Sequence, residues 1–392
     1  MFNNRFFSVL NITNNHELKL FAKNTKIPLK KLKYYNEEYK IPHKEDLNKI
    51  LESTGLKELE FKIKMGLIDY RTADLLSEKA TEITNLIDKE NSSNSRITHD
   101  NLSPSLTTQF GELYNKDCNQ LMRTLPPNSV DMIFADPPFN LNKVYDSGMN
   151  DELTKEEYLR WTEEWVLNSI NLLKEGGTFF VWNLPKWNTY ISSILDKYLN
   201  LKHWIAVDIK YRLPIKKRLY PSHYSLLYYT KGEKPNTFNE QRLPLEVCRH
   251  CGGEQKDYGG YKSKLNPNGI NLSDVWTDIP PVRHKKYKTR GSNELSLKLL
   301  ERVISLATNE GDVVFDPFGG SGSTYIASEI LNRQWIGTEV GPVDSIIKRF
   351  EDIEEQRDYI FNKVQANKNT LFTQETRNKR RENRFWLPED FN

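Results

Sequence analysis

Cysteine is scarce in this chain, with three residues among 392. Such usage excludes a disulfide framework and fits a reducing compartment. Long apolar runs are missing as well: no stretch approaches the ~20 residues that a membrane-spanning helix requires. The start, Met1-Phe2-Asn3-Asn4-Arg5, lacks the apolar segment of a signal peptide. These absences predict a soluble, cytoplasmic protein with no membrane partner. Neither sign of charge dominates. A net charge of +3 permits local nucleic-acid-binding patches without demanding them. No internal repeat is evident, which argues against a solenoid. What remains is a length suited to two or three domains around a large core.

Within that frame one segment stands out. The apolar run Val130–Ala135 reads as a buried parallel strand and ends in Asp136-Pro137-Pro138-Phe139. Open α/β sheets bind ligands at the carboxyl ends of their strands. Two prolines fix φ and remove two amide donors, so the turn is stiff and its carbonyls are fixed in direction. A carboxylate, a free carbonyl and a ring face suit a flat base that carries an exocyclic NH2. An ordinary strand-to-loop turn would also tolerate Asp-Pro.

A distant second segment sharpens this reading. Val313-Val314-Phe315 leads into Asp316-Pro317-Phe318-Gly319-Gly320-Ser321-Gly322-Ser323-Thr324, followed by a helical pattern over 325–331. Glycines there allow close backbone approach and positive φ. No Lys follows them as a phosphate loop requires. Nor is the run G-x-G-x-x-G, so a dinucleotide is disfavoured. The next strand, 334–339, ends in Glu339, an acid placed to take the hydroxyls of a ribose. A glycine loop with a ribose acid and no pyrophosphate site points to S-adenosylmethionine.

With both motifs in hand, residues 109–365 resemble the β-class DNA amino-methyltransferases, in which the catalytic tetrapeptide precedes the cofactor loop. The resemblance implies a Rossmann-like α/β sheet with permuted motif order. It implies catalysis by Asp136, Pro137, Pro138 and Phe139. It implies a cofactor site of Asp117, Asp316, Pro317, Phe318, Gly319, Gly320, Ser321, Gly322, Thr324 and Glu339. Asp117 stands in Asn115-Lys116-Asp117-Cys118, where the family often has Gly-Asp-Cys; it also fits a helix N-cap. The substrate would be double-stranded DNA, methylated at the amine of a flipped base. Adenine N6 is favoured because the tetrapeptide opens with Asp, where cytosine-N4 enzymes more often carry Ser; cytosine N4 is the alternative. A cognate restriction endonuclease and a homodimer are the partners such an enzyme would have. A regulator with an inactive methyltransferase fold, and RNA or protein methylation, are the rival functions.

Other segments are read as accessory. Residues 1–90 are helical and lysine-rich, with a basic second helix carrying Lys30, Lys31, Lys33 and Tyr34. They resemble a repressor-type helix-turn-helix domain, or equally a solvated bundle. Residues 91–108 read as a linker. The loop with Lys216, Lys217, Arg218 and His223 would lie near the flipped base and DNA backbone. Residues 233–294 break the α/β rhythm and correspond to a target-recognition insertion, with Arg283, Lys285 and Lys286 as phosphate contacts. Cys248 and Cys251 form a single C-x-x-C, too few ligands for structural zinc without help; no metal is expected. Residues 366–392 read as a basic tail.

Overall fold

The computed structural model describes residues 4–90, 103–141, 153–209, 215–217, 219–253, 264–280 and 294–391. The chain forms two compact units. One comprises Met1–Asp100 with Glu152–Thr162, the other Asn101–Asp151 with Glu163–Asn392.

The first unit is helical. It contains α1 (Arg5–Val9), α2 (Asn15–Thr25), α3 (Leu29–Glu37), α4 (Lys44–Thr54), α5 (Glu58–Met65), α6 (Tyr70–Glu78) and α7 (Ala80–Glu90). Its core gathers Phe6, Phe7, Leu18, Ile27, Leu32, Tyr35, Ile50, Phe61 and Met65, all nearly fully buried. Short elements are fixed at their ends. Asn14 caps α2 by accepting from the His16 and Glu17 amides, while the Glu17 carboxylate accepts from the Thr13 amide, a reciprocal capping box.

The second unit is built on a nine-stranded sheet. Its strands and helices are β1 (Leu106–Thr107), β2 (Gly111–Tyr114), α8 (Cys118–Met122), β3 (Val130–Ala135), α9 (Lys155–Leu172), β4 (Leu173–Asn183), α10 (Pro185–Leu195), β5 (Asn200–Asp208), β6 (His223–Thr230), β7 (Arg242–Leu243), β8 (Ile270–Asn271), β9 (Val275–Trp276), α11 (Leu297–Ala307), β10 (Val313–Asp316), α12 (Ser323–Ile330), β11 (Gln334–Thr338), α13 (Asp344–Glu351), α14 (Ile353–Asp358) and α15 (Gln374–Glu382). The order across the sheet is β1-β2-β11-β10-β3-β4-β6-β5-β9. Strands β2, β11, β10, β3 and β4 run parallel to one another, while β1 is antiparallel to β2. Strand β6 is antiparallel to both β4 and β5. This is the α/β sheet expected from the sequence, with an antiparallel strand near one edge. Strands β7 and β8 form a separate antiparallel pair.

The topology locates the ligand edge. From β3 the chain passes through α9 to β4 on one side, and from β10 through α12 to β11 on the other. Strands β3 and β10 are parallel neighbours, Val314 opposite Met132 and Phe315 opposite Ile133. The gap between their carboxyl ends is therefore the point where strand order reverses, the place where open α/β sheets bind ligands. Central strands carry continuous apolar runs because both faces are covered: Met132, Ile133, Phe134, Ala135, Val314 and Phe315 are all buried.

Two expectations need correction. Gly176-Gly177 does not end α9; the helix stops at Leu172 and β4 begins at Leu173. The glycines sit inside β4, where its register with β3 shifts and Gly176 takes a φ of 73°. Residues 366–391 are not a loose tail. Leu371, Phe372 and Leu387 form a buried cluster with Leu245, Val247, Leu265 and Trp386 of the same unit. Arg380, expected in a phosphate-binding run, is fully buried against the rings of Phe372 and Trp386 and donates to the Gly252 and Trp386 carbonyls. The Gly252 carbonyl and the cluster's Leu245, Val247 and Leu265 lie more than a hundred residues earlier, beyond the reach of any local pattern.

Candidate active site

Three carboxylates converge at the switch point because three adjacent strands end in acids: Asp136 after β3, Asp316 at the end of β10 and Glu339 after β11. Asp316 is 2% exposed. One of its oxygens accepts from the Phe318 amide at 2.8 Å. Burial pushes its carboxyl well above the usual range, and the charges of Asp136 and Glu339 add to that, against hydrogen bonds from Thr324 and the Phe318 amide. Acids crowded in this way favour a cationic ligand between them.

The glycine loop is held mostly by the protein itself. A Cβ on Gly319 would lie 2.6 Å from the Tyr325 hydroxyl oxygen and 2.9 Å from the Thr338 carbonyl oxygen. One on Gly322, at φ 76°, would lie 2.6 Å from Ile346. These two glycines thus make room for α12, β11 and α13, while Gly320 supplies a left-handed φ of 57°. Tyr325, fully buried, donates to the Asp316 and Thr338 carbonyls. Thr338 donates to the Pro317 carbonyl at 2.7 Å. Phe318 meets Trp165 edge-on, with centroids 5.2 Å apart, so part of the aromatic stripe on α9 supports the loop from the core.

Glu339 carries a second duty. One oxygen accepts from the Gly320 amide at 2.7 Å and the other from the Gly341 amide at 2.8 Å. Asn115, at the end of β2, donates to the Glu339 and Gly341 carbonyls. The acid expected on a ribose also pins the glycine loop to β11. Asp117 caps α8, accepting from the Asn119 and Gln120 amides. Neighbouring Cys118 is buried, and burial pushes its thiol far up, away from thiolate chemistry.

Sequence reasoning missed two supports. Arg349, on α13 and 5% exposed, donates to the Ser321 carbonyl at 2.7 Å and to the Ser323 hydroxyl at 2.9 Å. It pairs with Glu294 at 3.5 Å. Arginine in an amphipathic helix with an acid two residues on looks like surface, so only its i spacing from buried Ile346 hinted at burial. The other support is aromatic. Phe139 packs on Tyr224 at 5.9 Å, and Tyr224 stacks on Trp182 at 4.9 Å. Burial raises the Tyr224 phenol, with Asp136 and Tyr220 adding to the shift, which places Tyr224 within electrostatic reach of Asp136.

The remaining candidates scatter. His223 opens β6 opposite Asp208. Lys216 and Lys217 are exposed. Arg218, Arg283, Lys285 and Lys286 lie outside the described residues. Cys248 and Cys251 close a turn in which the Cys248 amide donates to the Gly253 carbonyl and the Gly252 amide to the Cys248 carbonyl. Among the described residues no three His, Cys, Asp or Glu side chains gather as a metal site. Lys31 gives its ammonium to Asp46 at 2.6 Å, which makes it a brace between α3 and α4.

A family model described as DNA methylase, of the N6/N4 type, matches residues 130–346, a span that holds both motifs. The chain belongs to the N6/N4 DNA methyltransferase family. It is 46% identical over 398 residues to the Type II methyltransferase M.BamHI of Bacillus amyloliquefaciens, across 99% of this chain and 94% of that one. It is 31% identical to the Type II methyltransferase M.HpaI of Haemophilus parainfluenzae, across 60% of this chain and 74% of that one. A solved structure, the PvuII DNA methyltransferase (cytosine-N4-specific), matches 67% of this chain and 97% of its own at 20% identity and a TM-score of 0.48.

As a DNA methyltransferase of this family the chain uses S-adenosylmethionine. The residues fit that group. Loop 317–322 carries no basic residue and the surrounding edge carries three acids, which suits a sulfonium, an ammonium and ribose hydroxyls and disfavours a phosphate.

Proposed function

We propose that Asp136, Pro137, Pro138 and Phe139 carry methyl transfer to the exocyclic amine of a base flipped from duplex DNA, in a restriction-modification system with an endonuclease that cuts the same site. The observation that supports this most is the placement of the tetrapeptide beside the Asp316 loop, on adjacent parallel strands at the switch point. Flipping the base costs a few kcal/mol, offset by contacts in the pocket. Its amine is a weak nucleophile because the lone pair is conjugated with the ring. The Asp136 carboxylate and the carbonyl of Pro137 or Pro138 accept the two amine hydrogens, which favours a pyramidal nitrogen with its lone pair free. Phe139, braced by Tyr224 and Trp182, offers a ring face to the base. Asp316, Glu339 and the backbone of 317–322 would hold S-adenosylmethionine, which would supply an electrophilic methyl group, its bond to sulfur exchanged for one to nitrogen while the amine gives up one proton to solvent past Asp136. Most of the rate comes from holding that methyl and the nitrogen in line.

Adenine N6 and cytosine N4 present the same two hydrogens to Asp136. The Asp in first position favours adenine, and product analysis decides the base. Incubation with labelled S-adenosylmethionine and mixed-sequence duplex, then nucleoside mass analysis, tests the proposal. N6-methyladenine is the expected product, N4-methylcytosine keeps the mechanism and reverses the base, and no methylated deoxynucleoside overturns it.

A further inference from the structure

We infer that α2 and α3 form a helix-turn-helix that binds duplex DNA as a second reading head, separate from the methyl-transfer site. Helices α1 to α7 lie outside the family match, which begins at residue 130, so their role is additional to the chemistry. Three residues join the helices: Lys26 in the left-handed region at φ 55°, buried Ile27, and Pro28, whose φ of −56° opens α3. That is the short turn of the motif. Leu18, Ile27, Leu32 and Tyr35 are buried beneath it. Tyr35 donates to Asp46 at 2.8 Å and Lys31 pairs with the same carboxylate, so α3 is fixed rigidly to α4.

Rigid packing of one face leaves the other presented. Leu29, Lys30 and Tyr34 are exposed and Lys33 is half-exposed, which puts them together at the start and along one side of α3. In this motif the second helix enters the major groove and its first residues meet base edges. Tyr34 rests edge-on against Tyr35, with centroids 5.7 Å apart, so its ring is held out in a defined direction.

Charge supplies the independent argument. Between Glu17 and Glu37 the chain has Lys19, Lys23, Lys26, Lys30, Lys31 and Lys33 and no acid. On α5 to α7 three lysines are paired locally: Lys62 with Glu58 and Asp69, Lys64 with Glu60, and Lys79 with Glu82. Among the described residues Lys23, Lys26, Lys30 and Lys33 meet no carboxylate. The paired lysines of α5 to α7 carry acids beside them; the run between Glu17 and Glu37 has none, and a polyanion is the partner that completes it.

The test uses the full chain without cofactor. Binding to duplexes enriched from a random-sequence pool is followed by fluorescence anisotropy over a range of salt. The double variant Lys30→Ala/Lys33→Ala should bind about tenfold more weakly, with the salt slope reduced by about two. Tyr34→Ala should alter which sequences are enriched. Lys64→Ala/Lys79→Ala, which removes two paired lysines, should behave as wild type. Alanine preserves helix propensity, and circular dichroism checks each fold. Wild-type affinity and slope in a folded Lys30→Ala/Lys33→Ala chain would overturn the inference. Methyl transfer to a short duplex, measured in parallel on wild type and on Lys64→Ala/Lys79→Ala, should agree within about twofold. Loss of binding in the double variant with no transfer by any protein would sink the methylation reading and leave this one standing.

Discussion

Two carboxylates at neighbouring strand ends have different environments, and that difference assigns their work. Asp136 follows a strand whose next residues are prolines, so it sits on a stiff turn at the rim. Replacing it with Ala should lower turnover by at least about a hundredfold, the scale of removing a group that handles protons at the reacting centre. Cofactor binding measured by calorimetry should remain close to wild type. Asp316 is buried, and its carboxyl is raised by burial and by the charges of Asp136 and Glu339. The folded, cofactor-free chain therefore holds this proton more tightly than the unfolded chain. By linkage, stability from this group is fully present at low pH and is lost as pH rises through the raised value. Asp316→Asn should flatten that loss, giving a higher melting temperature than wild type at alkaline pH. On the proposed function a bound sulfonium would favour the ionised acid, so cofactor affinity of the wild type should strengthen as pH rises, with proton release, and the Asn variant should bind weakly at every pH. A wild-type affinity that is independent of pH would contradict this assignment.

Among the elements, the loop 317–322 shows how much a short segment depends on what lies behind it. Arg349 joins α13 to the Ser321 carbonyl and the Ser323 hydroxyl inside the fold. Arg349→Leu strips those acceptors of their donor and breaks the ion pair with Glu294. Such a break in a buried pair costs about 3 kcal/mol or more. Urea denaturation should register that loss, and cofactor affinity should fall with it; Arg349→Lys should recover part of each. The strands and the two motifs were legible in the sequence because apolar runs such as Val130–Ala135 and Val313-Val314-Phe315 end abruptly in an acid. The supports were not. Tyr224 and Trp182 reach Phe139 from β6 and β4, and their adjacency comes from strand pairing that no local window contains. Lys31 looked like its neighbours Lys30 and Lys33, yet Asp46, fifteen positions away, claims it.

For the whole molecule, sheet topology explains why motifs separated by some 180 residues form one site: β3 and β10 are distant in sequence and parallel neighbours in space. The same unit shows a second long-range assembly. Residues 240–253, 264–271 and 366–391 share a small core and backbone bonds, the Leu245 amide to the Leu371 carbonyl and the Leu371 amide to the Pro267 carbonyl. Asp278 strengthens the attachment to α11. Burial pushes its carboxyl up, but the Arg302 guanidinium at 2.9 Å and Lys298 pull it well below the usual range. Truncation after residue 365 should therefore expose Leu245, Val247 and Leu265. Loss of DNA methylation with retained cofactor binding, and increased binding of a hydrophobic dye, are the expected readouts. A loose tail would leave both unchanged.

The most direct test of the central claim is methyl transfer itself, on the purified chain, with labelled S-adenosylmethionine, duplex DNA and mass analysis of the digested nucleosides, run beside Asp136→Ala. A methylated exocyclic amine in the wild-type product and none in the variant is the predicted result. Equal methylation by both proteins would contradict the account.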